Sequence, residues 1–201
     1  MTTVAELPAG FADKVLSAQS VFRSVMDAMA RPASIRRVPH AAGAADVMMR
    51  GTAALALTLF DHDTPIWLDP AMSATPEVAR WLKFHTSAPV VADTSIASFA
   101  LVGNPRDLPP LDRFAFGSNE YPDRSTTLIL QIESLRDGPV FELQGPGIDG
   151  TTSLRASIQP RDLFERLTIN ATLFPRGIDV VLVHDDSIVA IPRTTRFVRG
   201  G

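Results

Sequence analysis

Apolar residues recur at helical spacing near the start of the chain. They predict a helix that ends at Pro32 and carries one apolar stripe. The stripe comprises Val15, Leu16, Ala18, Val21, Phe22, Val25, Met26 and Met29. A buried, alanine- and leucine-rich helix is predicted over Val47–Phe60. Thr75 is predicted to cap a further helix that enters through Pro76 and runs to about Phe84.

A fourth helix is predicted over Arg161–Phe174, where Leu163, Phe164, Leu167 and Ala171 face inward. Short apolar runs predict strands over Ser34–Val38, Pro65–Leu68, Pro89–Ala92, Phe99–Val102, Thr126–Ile132, Pro139–Leu143, Ile178–Val183 and Ser187–Ile191. Thr126–Ile132 and Pro139–Leu143 are expected to pair with each other. Ile178–Val183 and Ser187–Ile191 are expected to form a hairpin.

Turn-forming residues separate these elements. Asn104–Arg124 is rich in Pro, Gly and Asp and is predicted to be a loop with one short helical turn, and Gly145–Ile148 is predicted to be a turn. Because helices alternate with strands, the predicted class is α/β. A length of 201 residues favours one domain over residues 1–201.

Composition excludes several kinds of chemistry. The chain has no cysteine, so disulfides, thiolate metal sites and cysteine nucleophiles are absent. Its net charge of -3 and its lack of a basic run argue against a nucleic-acid surface. No apolar segment is long enough to span a membrane or serve as a signal peptide, which favours a cytoplasmic protein.

Three polar clusters lie beside apolar runs, where they need a partner or a ligand. In the first, Asp61 and Asp63 flank His62 and precede Thr64. Two carboxylates at this spacing could share a magnesium ion with a phosphate-bearing substrate. The favoured alternative is that Asp63 and Thr64 bond backbone amides in a turn. No metal site is therefore predicted.

The second cluster is His85 with Thr86, at the end of a predicted helix. His85 could act as a general base or hold a phosphate oxygen. The favoured alternative is a histidine that bonds a free carbonyl at the helix end.

The third cluster is Arg193 with Thr194 and Thr195, directly after an apolar strand. A guanidinium beside two hydroxyls suits a phosphate or a carboxylate. It equally suits a structural ion pair with Asp61, Asp63 or Asp179. No group of residues forms a complete catalytic set, and the catalytic residues stay unknown.

Seven stretches, taken in order, resemble the PhnH family of the bacterial carbon–phosphorus lyase system. They are Gln19–Arg23 (with Met26, Ala28, Met29 and Pro32), Asp61–Leu68, Phe84–Thr86, Thr127–Gln131, Leu143–Ile148, Phe174–Asp179 and Ile191–Thr195. Each stretch alone is weak evidence for the resemblance. The seven together occur in the family's order, cover nearly the whole chain and are specific.

The resemblance implies a fold and a set of partners. The fold would be a three-layer, mixed-sheet α/β domain, a compact relative of the pyridoxal-phosphate-dependent transferases without the cofactor. The only lysines, Lys14 and Lys83, are both in predicted helices, which agrees with the absence of pyridoxal phosphate. The partners implied are a second copy of the chain, subunits G, I and J, and the ATPase-like subunit L.

The function that this resemblance implies is carried out jointly with partner subunits. With its partners, such a subunit is required to replace the adenine of ATP by a phosphonate, giving α-D-ribose 1-phosphonate 5-triphosphate in phosphonate catabolism. The radical step that cuts the C–P bond would belong to another, cysteine-bearing subunit. We therefore expect a mainly structural role in assembly, with no activity of the isolated chain.

Two other hypotheses remain open at this point. In one, the chain has its own pocket for ATP or a phosphonate, in which Arg193, Thr194 and Thr195 bind the anion. Asp61 and Asp63 would then hold magnesium, and His85 would assist protonation of the leaving group. The other, more distant hypothesis is a stand-alone transferase that uses pyridoxal phosphate.

Overall fold

The computed structural model describes residues 10–39, 41, 46–158, 160 and 162–200. Within these ranges the chain has five α-helices and nine strands. The helices are α1 (Lys14–Ala30), α2 (Arg50–Leu59), α3 (Pro70–Ser73), α4 (Pro76–Thr86) and α5 (Leu163–Ala171). The strands are β1 (Arg36–Arg37), β2 (Ile66–Leu68), β3 (Phe99–Val102), β4 (Thr127–Gln131), β5 (Val140–Gln144), β6 (Thr152–Arg155), β7 (Asp179–His184), β8 (Ser187–Ile191) and β9 (Arg196–Gly200).

Two sheets organise these strands, and the α/β class is confirmed. The larger sheet is mixed, with the order β1-β8-β7-β4-β3-β2. Its strands β2, β3, β4 and β7 are parallel, whereas β8 is antiparallel to β7 and β1 is antiparallel to β8. The smaller sheet is antiparallel, with the order β6-β5-β9. We call the side where the four parallel strands begin the amino edge, and the side where they end the carboxyl edge.

The core has two parts, one on each face of the larger sheet. Alternate residues of a strand point to opposite faces, so Leu101 and Ile129 join the part that packs against α1, α2 and α4. Ala100 and Leu128 join the part that packs against α5 and the smaller sheet. The larger sheet therefore lies between a helical layer and a layer that contains α5 and the smaller sheet.

The fold buries only part of the predicted apolar stripe of α1. Val21 and Val25 are buried against α2 and the larger sheet. Val15, Phe22 and Met26 are 65%, 51% and 54% exposed, and they follow one another at helical spacing. One flank of α1 is thus an apolar surface that faces away from the core.

Helix α2 begins later than predicted, at Arg50 rather than Val47. Gly51 lies in its first turn and donates its backbone N–H to the carbonyl of Asp185, in the turn between β7 and β8, at 2.7 Å. A Cβ atom at Gly51 would lie 2.8 Å from that carbonyl oxygen and from Val183 Cγ1. The close approach of helix and turn therefore requires glycine.

The other helix predictions are largely confirmed. Thr75 stands at the N-cap of α4, but its hydroxyl donates to the Ala71 carbonyl at 3.2 Å and makes no capping hydrogen bond. The four residues expected to face inward on α5 are all buried. Arg161, at which that helix was expected to begin, lies outside the described residues.

The hairpin of β7 and β8 and the turn at Gly145–Ile148 are confirmed. The predicted pairing of Thr126–Ile132 with Pro139–Leu143 is wrong, because β4 lies between β3 and β7 while β5 pairs with β6 and β9. Strands β6 and β9 escaped prediction. Of Pro89–Ala92, only Val90 forms a bridge, with Ile66.

The Asn104–Arg124 segment is more than a surface loop. It contains two 3₁₀ turns, at Pro105–Asp107 and Leu111–Arg113, where one helical turn was predicted. Leu108, Leu111 and Phe114 from this segment are buried in the core beside the smaller sheet. Across the described ranges, no helix combines the length and the apolar character needed to cross a membrane.

Candidate functional site

Arg193 lies at the amino edge, where the end of β8 meets the start of β7. Its guanidinium forms a buried ion pair with Asp179, with Nη2 2.5 Å from Oδ2 and Nε 3.2 Å from Oδ1. The two side chains are only 13% and 15% exposed. The Asp179 carboxylate also accepts the Arg193 backbone N–H at 2.8 Å. The predicted structural ion pair is confirmed, with Asp179 as the partner rather than Asp61 or Asp63.

The remaining donors of Arg193 hold other segments in place. Nη1 donates to the carbonyls of Pro122 at 2.7 Å and of Pro175 at 3.4 Å, and Nη2 donates to Ser125 Oγ at 2.5 Å. A guanidinium has five N–H donors, and these contacts engage all of them. A phosphate or carboxylate could bind here only by displacing a protein oxygen.

Thr194 and Thr195 form a turn rather than a ligand cradle. The Thr195 backbone N–H donates to the Pro192 carbonyl at 2.9 Å, and its side chain is 2% exposed. Its hydroxyl is buried and has no hydrogen-bond partner among the described residues. Thr194 is half-buried and borders a cavity of about 450 Å³ shared with Phe174 and Arg196.

The residues Asp61–Thr64 form a closed turn between α2 and β2. Asp61 Oδ1 accepts the Asp63 backbone N–H at 2.9 Å, and Thr64 Oγ1 accepts the Asp61 N–H at 2.6 Å and donates to the Asp61 carbonyl at 2.8 Å. The predicted turn is confirmed, although the bonding side chains are Asp61 and Thr64 rather than Asp63. Asp63 Oδ2 lies 3.3 Å from His62 Nε2, and both side chains are exposed.

The magnesium alternative needs further ligands near these carboxylates. No cluster of three or more His, Cys, Asp or Glu side chains suited to a metal ion occurs among the residues that the structure describes. One oxygen of Asp61 is already used by its own turn. The geometry of this cluster therefore gives the magnesium hypothesis no support.

His85 and Thr86 are in the last turn of α4. The His85 ring packs on Trp81, one helical turn earlier, with ring centroids 4.6 Å apart, and edge to face with Phe84 at 5.0 Å. Thr86 Oγ1 donates to the Leu82 carbonyl at 2.7 Å and accepts the Ala88 N–H at 3.1 Å. The Thr86 hydroxyl thus stabilises the end of the helix, and it is buried.

The Asp61 turn and Arg193 lie at the same edge but do not form one site. The Asp61 turn precedes β2, whereas Arg193 lies beside the start of β7, and β3 and β4 stand between them. Three strand spacings correspond to about 14 Å. These two clusters therefore stabilise different parts of the fold.

The carboxyl edge carries polar residues that sequence reasoning did not single out. Asp69, directly after β2, is fully buried, and its carboxylate accepts three backbone N–H groups. These come from Met72 at 2.9 Å and from Gly103 and Asn104 at 2.8 Å each. The sequence signal was present, since Asp followed by Pro70 is a typical helix start.

Gln131, at the end of β4, ties this edge to α2. Its Oε1 accepts the Met49 N–H at 2.7 Å, and its Nε2 donates to the Val47 carbonyl at 2.8 Å. The side chain is 5% exposed. A cavity of about 330 Å³ opens beside it, between the ends of β3 and β4.

One carboxyl group of the described chain has a shifted pKa. Asp93 begins a 3₁₀ turn and accepts the backbone N–H of Ser95 at 2.9 Å and its hydroxyl at 2.8 Å. These bonds favour the charged form and lower the pKa of Asp93 below its ordinary value. The group is exposed and lies outside the three candidate clusters.

Comparison with known proteins finds relatives that match nearly the whole chain. The family described as "Bacterial phosphonate metabolism protein (PhnH)" matches residues 9–198. The chain is 41% identical over 200 residues to the alpha-D-ribose 1-methylphosphonate 5-triphosphate synthase subunit PhnH of Rhizobium meliloti (strain 1021). That alignment covers 99% of this chain and 100% of the relative.

A second relative is more distant. The Stutzerimonas stutzeri protein described as "Putative C-P lyase subunit protein HtxG" is 30% identical over 198 residues, which cover 96% of this chain and 94% of the relative. The names of both relatives contain the word subunit. Because the family match and the alignment with the first relative run through nearly the entire sequence, this chain belongs to the PhnH family of bacterial phosphonate metabolism proteins.

Proposed function

We propose that this chain is a subunit of a carbon–phosphorus lyase system in phosphonate catabolism. With partner subunits it is required to form α-D-ribose 1-phosphonate 5-triphosphate from ATP and a phosphonate. The observation that carries this proposal is the end-to-end similarity, at 41% identity, to a subunit of the corresponding synthase. The chain's own contribution is mainly structural, and the isolated chain has no activity.

The state of the polar clusters supports an assembly role. The Arg193 donors, the Thr86 hydroxyl and the Asp61 turn are all used in hydrogen bonds within the chain. An active site needs polar groups that are positioned but still available to a substrate. The hypothesis of a nucleotide pocket built from these clusters is therefore not favoured.

The exposed flank of α1 supports a role in protein contacts. Val15, Phe22 and Met26 place apolar side chains on the surface, along one side of a helix of 17 residues. Exposed apolar patches of this kind mark interaction sites. We assign this surface, defined by those three residues, to contacts within the complex.

The partners are proposed from the family. They are a second copy of the chain, subunits G, I and J, and the ATPase-like subunit L, in the cytoplasm, without nucleic acid or membrane. The domain extends over residues 1–201.

Pyridoxal phosphate has no place in this proposal, although the fold is proposed to be a compact relative of the transferases that use it. Lys14 and Lys83, the only lysines, are both exposed on helices. A Schiff base would need an amine in an enclosed pocket. An absorbance spectrum of the purified chain tests this, since the absorption band of a bound aldimine would contradict the proposal.

The decisive experiment deletes this chain from cells that carry the whole phosphonate gene cluster. We expect loss of growth on a phosphonate as sole phosphorus source, and loss of the complex captured through a tagged partner subunit. Restoring the chain restores both. Assembly and full activity of the remaining subunits without this chain would contradict the proposal.

A point variant tests the surface of α1. Phe22→Ser is expected to weaken capture by roughly tenfold or more, since burying an aromatic side chain contributes about 1.5–3 kcal/mol. Ser20→Ala, at an exposed polar position of the same helix, is the matched control. Equal capture of the two variants, with unchanged thermal unfolding, would remove this surface from the proposal.

A further inference from the structure

The cavity at the carboxyl edge has the position of a ligand site. It lies where β3 ends at Val102 and β4 ends at Gln131, next to the start of α2. In open α/β sheets, ligands bind outside the carboxyl ends of the strands, at a switch in strand order; this cavity shares the first of these two features. The volume of about 330 Å³ is at the small end of the range for ligand pockets.

The walls of this cavity are fixed by buried hydrogen bonds. Asp69 holds the backbone N–H groups of Gly103 and Asn104, which form one wall. Gln131 holds Met49, which forms another. Both anchoring side chains are at least nine-tenths buried. A ligand would therefore meet a cavity whose walls are already in place, and binding would order few groups.

Two opposite charges line the cavity without pairing with each other. The Glu133 carboxylate accepts Ser157 Oγ at 3.1 Å through Oε2, which leaves Oε1 available. Within the described ranges, the Arg106 guanidinium makes no hydrogen bond or ion pair with any side chain. Met49 and Ile132 also line the cavity and contribute its apolar part. This arrangement contrasts with Arg193, whose donors are all engaged.

We propose that this cavity binds a small zwitterion, a short alkylphosphonate that carries an amine. Arg106 binds the phosphonate oxygens, Glu133 binds the ammonium group, and the alkyl carbons contact Met49 and Ile132. A triphosphate does not fit, because one arginine beside a carboxylate cannot offset its charge. The inference rests on the proposed function, since phosphonate is taken from it, and it adds the site and the preferred substrate class.

The test is a calorimetric titration of the full-length chain with two probes that differ only in the amine. They are 2-aminoethylphosphonate and ethylphosphonate. We expect the amine-bearing probe to bind at least about tenfold more tightly, the value of one charge-assisted hydrogen bond. Equal affinities would overturn the assignment of Glu133, and no heat with either probe at about 10 mM would overturn the site.

Three variants locate the binding. Glu133→Gln keeps an acceptor for Ser157 and is expected to remove the preference for the amine while ethylphosphonate binds as before. Arg106→Gln is expected to weaken both probes by about tenfold. Arg113→Gln is the control, because Arg113 is exposed on the same segment and does not line the cavity. A control that weakens binding as much as Arg106→Gln would indicate a general charge effect and would overturn the site.

The failures of the two proposals are separable. If the titration is silent while the complex still requires this chain, the pocket is wrong and the proposed function stands. If the complex forms and works without the chain, the proposed function is wrong whatever the titration gives. Thermal unfolding of each variant confirms that it is folded before its affinity is compared.

Discussion

At the amino edge of the parallel strands, Arg193 donates all its hydrogen bonds to oxygens of the chain itself. At the carboxyl edge, Asp69 and Gln131 are more deeply buried, but they bind backbone groups that line an open cavity. The first arrangement joins segments that are distant in sequence and leaves no donor for a ligand. The second fixes the walls of a space and leaves Arg106 and Glu133 beside it. Burial of polar groups is thus common to the structural cluster and to the proposed ligand site, and the two differ in whether unengaged groups lie beside them.

The largest effect is expected at the amino edge. Arg193→Met leaves the Asp179 carboxylate buried without its cation, and breaking such a pair costs about 3–5 kcal/mol. The free energy of unfolding measured in urea should fall by that amount. The double variant Arg193→Met/Asp179→Leu should recover part of the loss, because no charge then remains unpaired. A loss below about 1 kcal/mol, which is the range for exposed ion pairs, would show that the pair is not buried in solution.

The next effect is expected at Asp69. Asp69→Ala leaves three backbone N–H groups without an acceptor, and at roughly 1 kcal/mol each the unfolding free energy should fall by about 3 kcal/mol. Asp112→Ala, at an exposed position, is the control and should stay within about 0.5 kcal/mol of the parent. Equal stability of the two variants would contradict the fixed wall at Gly103 and Asn104.

A smaller effect is expected at Gln131. Gln131→Leu keeps the side-chain volume but leaves the Met49 N–H and the Val47 carbonyl unpaired, for a loss of about 2 kcal/mol. Hydrogen exchange of the Met49 amide should accelerate, whereas amides in β7 should be little changed. Unchanged protection of Met49 would show that Gln131 does not hold this wall.

The smallest effect is expected in the Asp93 turn. Its lowered pKa stabilises the fold at pH values above the unfolded value, about 3.9, and this contribution is lost as the pH falls through the lower folded value. Asp93→Asn should therefore melt below the parent at neutral pH, and the difference should vanish in acid. A difference that grows as the pH falls would contradict the direction of the pKa shift.

Sequence reasoning succeeded where a pattern is local. The inward residues of α5 and the hairpin of β7 and β8 follow from spacing within a few residues. It failed where the pairing is distant: β4 and β5 are adjacent in the chain, but the neighbours of β4 are β3 and β7. The short strands β6 and β9 carry too few apolar residues to stand out.

At the candidate site, too, local contacts were predicted and contacts between distant residues were not. The sequence identified Arg193 as a group that needs a partner and named Asp179 among the possibilities, but Ser125 is 68 residues away and was not foreseen. Asp69 was overlooked even though its local pattern is a good cap, because its second role, holding Gly103 and Asn104, depends on residues 34 and 35 positions later. The stripe of α1 was recognised, but the sequence does not state which of its residues the rest of the fold covers.

The contact at Gly51 couples two parts of the molecule mechanically. The first turn of α2 rests against the Asp185 carbonyl with no room for a methyl group, and Met49, two residues earlier, forms a wall of the cavity. The Gly51 N–H also donates to that carbonyl, so the start of α2 and the tip of the β7–β8 hairpin hold each other in place. A residue larger than glycine at position 51 would therefore disturb the Met49 wall without itself lining the cavity.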